Sequence, residues 1–139
     1  MYQITCQVEF DSAHRLFGYE GPCKHLHGHH YVAEVTVRGM ELDRLGMVVD
    51  FGDLKGPVVS WINEHWDHNV LLHPHDILLE GSGKVFLGES PFVIPSGNPT
   101  AENMAKGLYE VVVGLLPSCV EMVRVRLYET PGCWVDYSE

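Results

Sequence analysis

Tyr2-Gln3-Ile4-Thr5-Cys6-Gln7-Val8-Glu9-Phe10-Asp11-Ser12-Ala13-His14 alternates with a period of two. Tyr2, Ile4, Cys6, Val8 and Phe10 share one face with Ser12 and His14, while Gln3, Thr5, Gln7, Glu9 and Asp11 take the other. The pattern predicts a half-buried strand that delivers His14 at its end. A second run sets His29, Tyr31, Ala33, Val35 and Val37 against His30, Glu34, Thr36 and Arg38, with a histidine pair at its beginning. Antiparallel pairing of the two runs would bring His14 close to His27 and His29. The loop between them, residues 15–28, contains Gly18, Gly21 and Pro22 and is a natural seat for a reactive thiol, Cys23.

His27 and His29 lie two apart and project to the same side of an extended chain, the spacing at which both reach one ion. With His14 as third ligand, three neutral imidazoles leave the charge of a divalent metal uncompensated and one coordination position open. Such a site suits a Lewis acid, whereas a structural zinc usually has four ligands rich in thiolate. A His-x-His pair alone is a common accident in a chain with nine histidines; the nearby thiol and the third histidine at a strand end favour the metal reading. Zinc is the first choice, because imidazole suits it and redox-active ions sit badly beside a thiol.

A chain of 139 residues makes a single domain that buries roughly 70% of its unfolded surface without staples. Neither a leader nor an apolar stretch of membrane-spanning length is present, so the expected location is the cytoplasm. Cys6, Cys23, Cys119 and Cys133 are too sparse for a disulfide scaffold and should be free thiols, all but Cys23 small packing residues. The formal charge of −10, without a Lys/Arg stripe, excludes a nucleic-acid binder. An anionic small substrate is still compatible, since local cations or backbone amides bind phosphate. Arg15 and Lys24 are the cations nearest the motif, and either can equally be an ordinary solvated charge.

Farther along, residues 46–51 resemble a short extended piece. Residues 54–66 have helical spacing in Leu54, Val58, Trp61, Ile62 and His65, with Asp53 as cap and Gly56-Pro57 delaying the regular start. Residues 70–99 read as a long loop with a hairpin whose arms are residues 84–87 and 92–95. Thr100 caps a second helix through Met104, Ala105, Leu108, Val112 and Leu115, with Glu102 near its positive end and Pro117 stopping it. A strand over residues 121–129, a Pro131-Gly132 turn and a final strand over 133–137 complete the chain.

Two features stay open on residues alone. Glu129 falls where alternation after Val123, Val125 and Leu127 expects a hydrophobe; a buried carboxylate there needs a cation or a row of donors, or else the strand ends and Glu129 is solvated. Asp67-His68 is either an orienting carboxylate with a proton-transfer imidazole or a polar close to the first helix. His65, His73 and His75 are expected to be surface or packing residues.

Ser12-Ala13-His14-Arg15-Leu16, Cys23 with His27-Gly28-His29, Val49-Asp50-Phe51-Gly52-Asp53-Leu54-Lys55, Asp67-His68-Asn69, Pro99-Thr100-Ala101-Glu102-Asn103 and Tyr128-Glu129-Thr130 occur in that order. The chain thereby resembles, over nearly its whole length, the superfamily of 6-pyruvoyl- and 6-carboxytetrahydropterin synthases. The resemblance implies an α+β tunnelling fold, a four-stranded antiparallel sheet with two helices on one face. Its subunits would join sheets into a β-barrel, as a trimer-based homo-oligomer up to a hexamer with pterin sites between subunits. It implies zinc on His14, His27 and His29, Cys23 as the base, Asp67 with His68 as its partner dyad, and Glu129 anchoring the amino-pyrimidinone edge of the pterin. A nearby cation and His68 would help Cys23 become thiolate.

In this superfamily a thiol four residues before the histidine pair marks the carboxy enzymes, and Cys23 to His27 has that spacing. The implied reaction converts 7,8-dihydroneopterin triphosphate to 6-carboxy-5,6,7,8-tetrahydropterin with loss of triphosphate and acetaldehyde, an early step toward queuosine. The alternatives are a 6-pyruvoyl-tetrahydropterin synthase, which stops after triphosphate elimination and internal redox, and a zinc- or pterin-binding module in which Cys23 is a fourth metal ligand. The stretch between Asn69 and Pro99 is longer than in compact members.

Overall fold

The computed structural model describes residues 1–81, 87 and 90–139. Six strands, β1 (Tyr2–His14), β2 (His27–Gly39), β3 (Asn69–Leu72), β4 (Phe92–Val93), β5 (Glu121–Thr130) and β6 (Cys133–Tyr137), form one sheet in the order β4-β3-β1-β2-β5-β6. The four strands β1, β2, β5 and β6 are antiparallel, as expected. The expected sheet is nonetheless incomplete: β3 joins β1 in parallel and β4 joins β3 in parallel, so the sheet is six-stranded and mixed.

The β1–β2 ladder runs without interruption from Tyr2 opposite Gly39 to His14 opposite His27. Directly opposed residues share a face, so Phe10 stacks on Tyr31 at 5.1 Å and the inward set of each strand is buried. Two helices, α1 (Phe51–His65) and α2 (Ala101–Leu115), cover that face. Leu54, Val58 and Ile62 of α1 and Met104, Ala105, Leu108 and Val112 of α2 pack on Val35, Val125 and Leu127. The other face carries polar side chains, including Gln7 donating to Glu34 and Arg126 gripping Asp136 through two hydrogen bonds.

Helix α1 starts three residues before its expected beginning. Asp50, not Asp53, is the cap and accepts from the Gly52 N–H at 2.7 Å, and Pro57 lies inside the helix instead of delaying it. Proline removes the N–H that would have met the Asp53 carbonyl, but the buried stripe on either side of it carries the helix through. Residues 46–50 are turns and bends and residue 51 is already helical, so no extended piece forms there. Thr100 caps α2 as expected, accepting from the Asn103 N–H at 3.2 Å. Leu115, in its last turn, is exposed.

Of the expected hairpin in residues 70–99, the first arm falls mostly outside the described residues. The second contains β4, whose described partner is β3, in parallel. No helix among the described residues is long and apolar enough to cross a membrane.

Candidate metal centre and its flanking cavities

Strand register places the three histidines. His14 faces His27 across the last rung of β1–β2, Ser12 faces His29, and all three rings cluster with centroids 4.7 to 5.1 Å apart. One ligating atom from each lies within 4.8 Å of the others.

The hydrogen bonds around the rings settle their tautomers. His14 Nδ1 is 2.6 Å from the Pro99 carbonyl, and His27 Nδ1 is 2.7 Å from the His25 carbonyl. A carbonyl only accepts, so in both rings Nδ1 carries the proton, and in the neutral imidazole Nε2 then presents a lone pair. Those two Nε2 atoms face each other at 3.2 Å. With no proton between them they repel, unless a cation occupies the space their lone pairs share. His29 Nε2 is buried with no hydrogen-bond partner, an orphaned acceptor or donor beside the same space. Burial pushes the protonation of His14 and His29 below the ordinary histidine range, with the Pro99 carbonyl opposing it at His14 and the Glu129 carboxylate opposing it at His29. Neutral imidazoles with their Nδ1–H groups held by carbonyls are the donor set of a divalent transition-metal site.

The cluster is flanked by two cavities that share no lining residue. The first, about 380 Å³, is lined by His14, Cys23, Tyr19, Thr100, Glu102, Glu129, Cys133 and Trp134, among others. Its thiol is brought in by the loop after β1, where the Leu16 N–H donates to the Cys23 carbonyl at 2.8 Å and a single 3-10 turn, Pro22–Lys24, follows. Asn98 pins this loop to the start of α2, accepting from the Phe17 N–H at 2.7 Å and donating to the Phe17 carbonyl at 3.0 Å. Strand β5 continues through Glu129, so its carboxylate is half-buried and not beyond the strand end; Oε1 lies 3.7 Å from His29 Nε2.

The second cavity, about 470 Å³, is lined by Asp11, Ser12, Gly28, His29, His30, His68 and Asn69, among others. Asp67 and His68 close the first helix and also pair through their side chains. The backbone closes α1, with the Trp66 and Asp67 N–H groups both donating to the Ile62 carbonyl, and the side chains pair at 3.0 Å between Asp67 Oδ2 and His68 Nδ1. Asp67 holds His68 protonated above its ordinary range. Partial burial works to raise the Asp67 carboxyl, but hydrogen bonds from the Asp11 N–H and His68 take it below the ordinary range.

The structure therefore brings His14, His27 and His29 together and sets Cys23 and Glu129 on one side of them and Asp67 with His68 on another. Among the described residues of one chain, neither His68 nor any Lys or Arg lines the thiol cavity. Arg15 is not an ordinary solvated charge, since its Nε donates to the buried Asp76 carboxylate at 2.6 Å. Cys119 and Cys133 are exposed, not packing residues. His65 and His73 do pack, against Trp61 and Phe17 respectively. Sequence reading missed Cys133, Trp134, Tyr19 and the Pro99 carbonyl, and only the last had a signal, as the residue before a helix cap.

Residues 3–139 match the family described as 6-pyruvoyl tetrahydropterin synthase. The chain is 38% identical over 138 residues to the 6-carboxy-5,6,7,8-tetrahydropterin synthase of Rickettsia bellii, covering 98% of this chain and 99% of that one. It is 31% identical to the enzyme of the same name from Haemophilus influenzae, over the full length of both. Among solved structures, an uncharacterized protein from Wolinella succinogenes superposes with a TM-score of 0.84 at 26% identity, covering 99% of this chain and 98% of that one. The 6-pyruvoyl tetrahydropterin synthase of Caenorhabditis elegans superposes with a TM-score of 0.70 at 25% identity, covering 99% and 95%.

Proposed function

The chain belongs to the 6-pyruvoyl tetrahydropterin synthase family, and on that premise we propose that it is a zinc-dependent 6-carboxy-5,6,7,8-tetrahydropterin synthase. Its substrate is 7,8-dihydroneopterin triphosphate, and triphosphate and acetaldehyde leave, supplying an early step toward queuosine. Full-length relatives of that name and the thiol four residues before His27 support the carboxy product. The single observation that carries the metal-dependent chemistry is the pair of bare Nε2 atoms of His14 and His27 facing each other at 3.2 Å.

His14, His27 and His29 would hold the zinc, which when bound supplies Lewis acidity to side-chain oxygens of the substrate. Cys23, on the loop bordering His14, takes the proton from the substrate side chain as thiolate. His68, kept protonated and oriented by Asp67, gives and takes the second proton. Glu129 accepts hydrogen bonds from the amino and ring N–H groups of the pterin, and Tyr19 and Trp134 in the same cavity offer faces to its flat ring. In one chain the thiol and the dyad line separate cavities, so a complete site draws them from neighbouring copies. This favours a homo-oligomer built on trimers, up to a hexamer, with sheets joined into a barrel.

A second reading, 6-pyruvoyl-tetrahydropterin synthase, is favoured by the likeness to the Caenorhabditis elegans enzyme. Incubating the zinc-loaded protein with dihydroneopterin triphosphate separates the two. Acetaldehyde with the 6-carboxy pterin supports the proposal, and a retained three-carbon side chain selects the pyruvoyl enzyme. Neither product leaves a binding module.

A further inference from the structure

We propose that the Asp11 side chain is a positioning residue for the Asp67–His68 pair, a carboxylate held between His30 and the pair that sets the field in which His68 transfers its proton. The inference rests on the reading of Asp67 and His68 as an acid–base dyad.

Residue 11 meets the pair in two separable ways. Its backbone clasps the turn: the N–H donates to Asp67 Oδ1 at 3.0 Å, and the carbonyl accepts from the His68 N–H at 2.7 Å. That clasp holds His68 at a φ of 53°, a left-handed conformation that side chains other than glycine rarely adopt. Any residue but proline at position 11 keeps these two bonds. The carboxylate is a different matter, because it gathers with the Asp67 carboxylate and the His68 ring nitrogen within 4.8 Å.

His30 Nδ1, 2.8 Å from Asp11 Oδ1, fixes this carboxylate beside the pair, with Glu9 at 3.9 Å on the other side of the ring. Among the described residues, the charged and titratable groups around His68 are Asp67 on its own turn, Asp11 and beyond it Glu9 on β1, and His30 and His29 on β2. Asp11 lines the same cavity as His68 and sets a negative charge beside its ring.

The test compares zinc-loaded wild type, D11N and D11E. Histidine-labelled protein followed by NMR reports the His68 titration, and steady-state kinetics report kcat and KM against pH. In D11N the His68 midpoint should fall, the alkaline limb of kcat should move to lower pH, and kcat should drop roughly threefold to tenfold at unchanged KM, a fraction of full acid–base catalysis; D11E should restore both readouts. A His68 titration in D11N identical to wild type overturns the proposal, as does a rise in KM without a change in kcat. Should wild type form no pterin product, the functional reading fails, and the NMR comparison still decides whether Asp11 acts on His68.

Discussion

The thiol cavity and the dyad cavity border the same histidine cluster, yet they are built by opposite means. The thiol side is walled by four separate segments, the loop after β1, the start of α2, β5 and β6. It is tied together by side-chain to backbone bonds from His14 to Pro99, from Asn98 to Phe17 and from Asn103 to Asn98. The dyad stands on a two-residue turn gripped by the backbone of β1, with the His68 side chain 78% exposed. A group meant to act inside its own chain would be enclosed on its own chain. On the proposed reading, the exposed pair on its rigid turn acts on what a second copy brings to it.

The largest effect expected from breaking this contrast is on the thiol side. Cys23→Ala should retain metal and fold and lose turnover by a factor of about 10² to 10⁴, the usual range for a general base; an active variant, measured as acetaldehyde release, would remove Cys23 as base. Next comes a mixing experiment. Cys23→Ala and His68→Ala subunits, each inactive alone, should on co-refolding regain roughly a quarter of wild-type turnover, the statistical share of interfaces that keep both groups. No recovery would place thiol and dyad in one chain. Asn98→Ala removes both ties to Phe17 and should lower stability by about 1–3 kcal/mol in chemical unfolding, with little effect on the dyad side.

The smallest effect is a displacement on the pH axis. Asp67 raises His68, so the protonated form persists to higher pH in the folded protein and is lost as pH rises through that raised value. Asp67→Asn should therefore move the alkaline limb of kcat to lower pH. A limb that stays in place would assign it to another group.

The elements legible in the sequence were those with enough length to show a period. Thirteen-residue β1 alternates throughout and β2 does so as far as Val35, and the histidine at the end of one and the pair at the start of the other fix their register as well. Thr100 announced α2 because its cap chemistry is local. Strands β3 and β4, of four and two residues, are too short for alternation, and their parallel pairing comes from distant chain. The start of α1 was hidden by exposed Phe51, which lies off the buried stripe, so Asp53 looked like the cap. At the site, the histidines were legible because neighbours in sequence became neighbours across a ladder. The walls formed by Cys133 and Trp134 were not, since roughly a hundred residues separate them from Cys23. The separation of the dyad from the thiol was illegible for the same reason.

Every step above depends on bare nitrogen donors sharing a cation, so the most direct test is elemental analysis of the purified protein and its His27→Ala variant. The account predicts about one zinc per chain in the wild type, by the three-ligand stoichiometry of catalytic sites, and little or none in the variant while far-UV circular dichroism is unchanged. Equal metal content in the two proteins would contradict it.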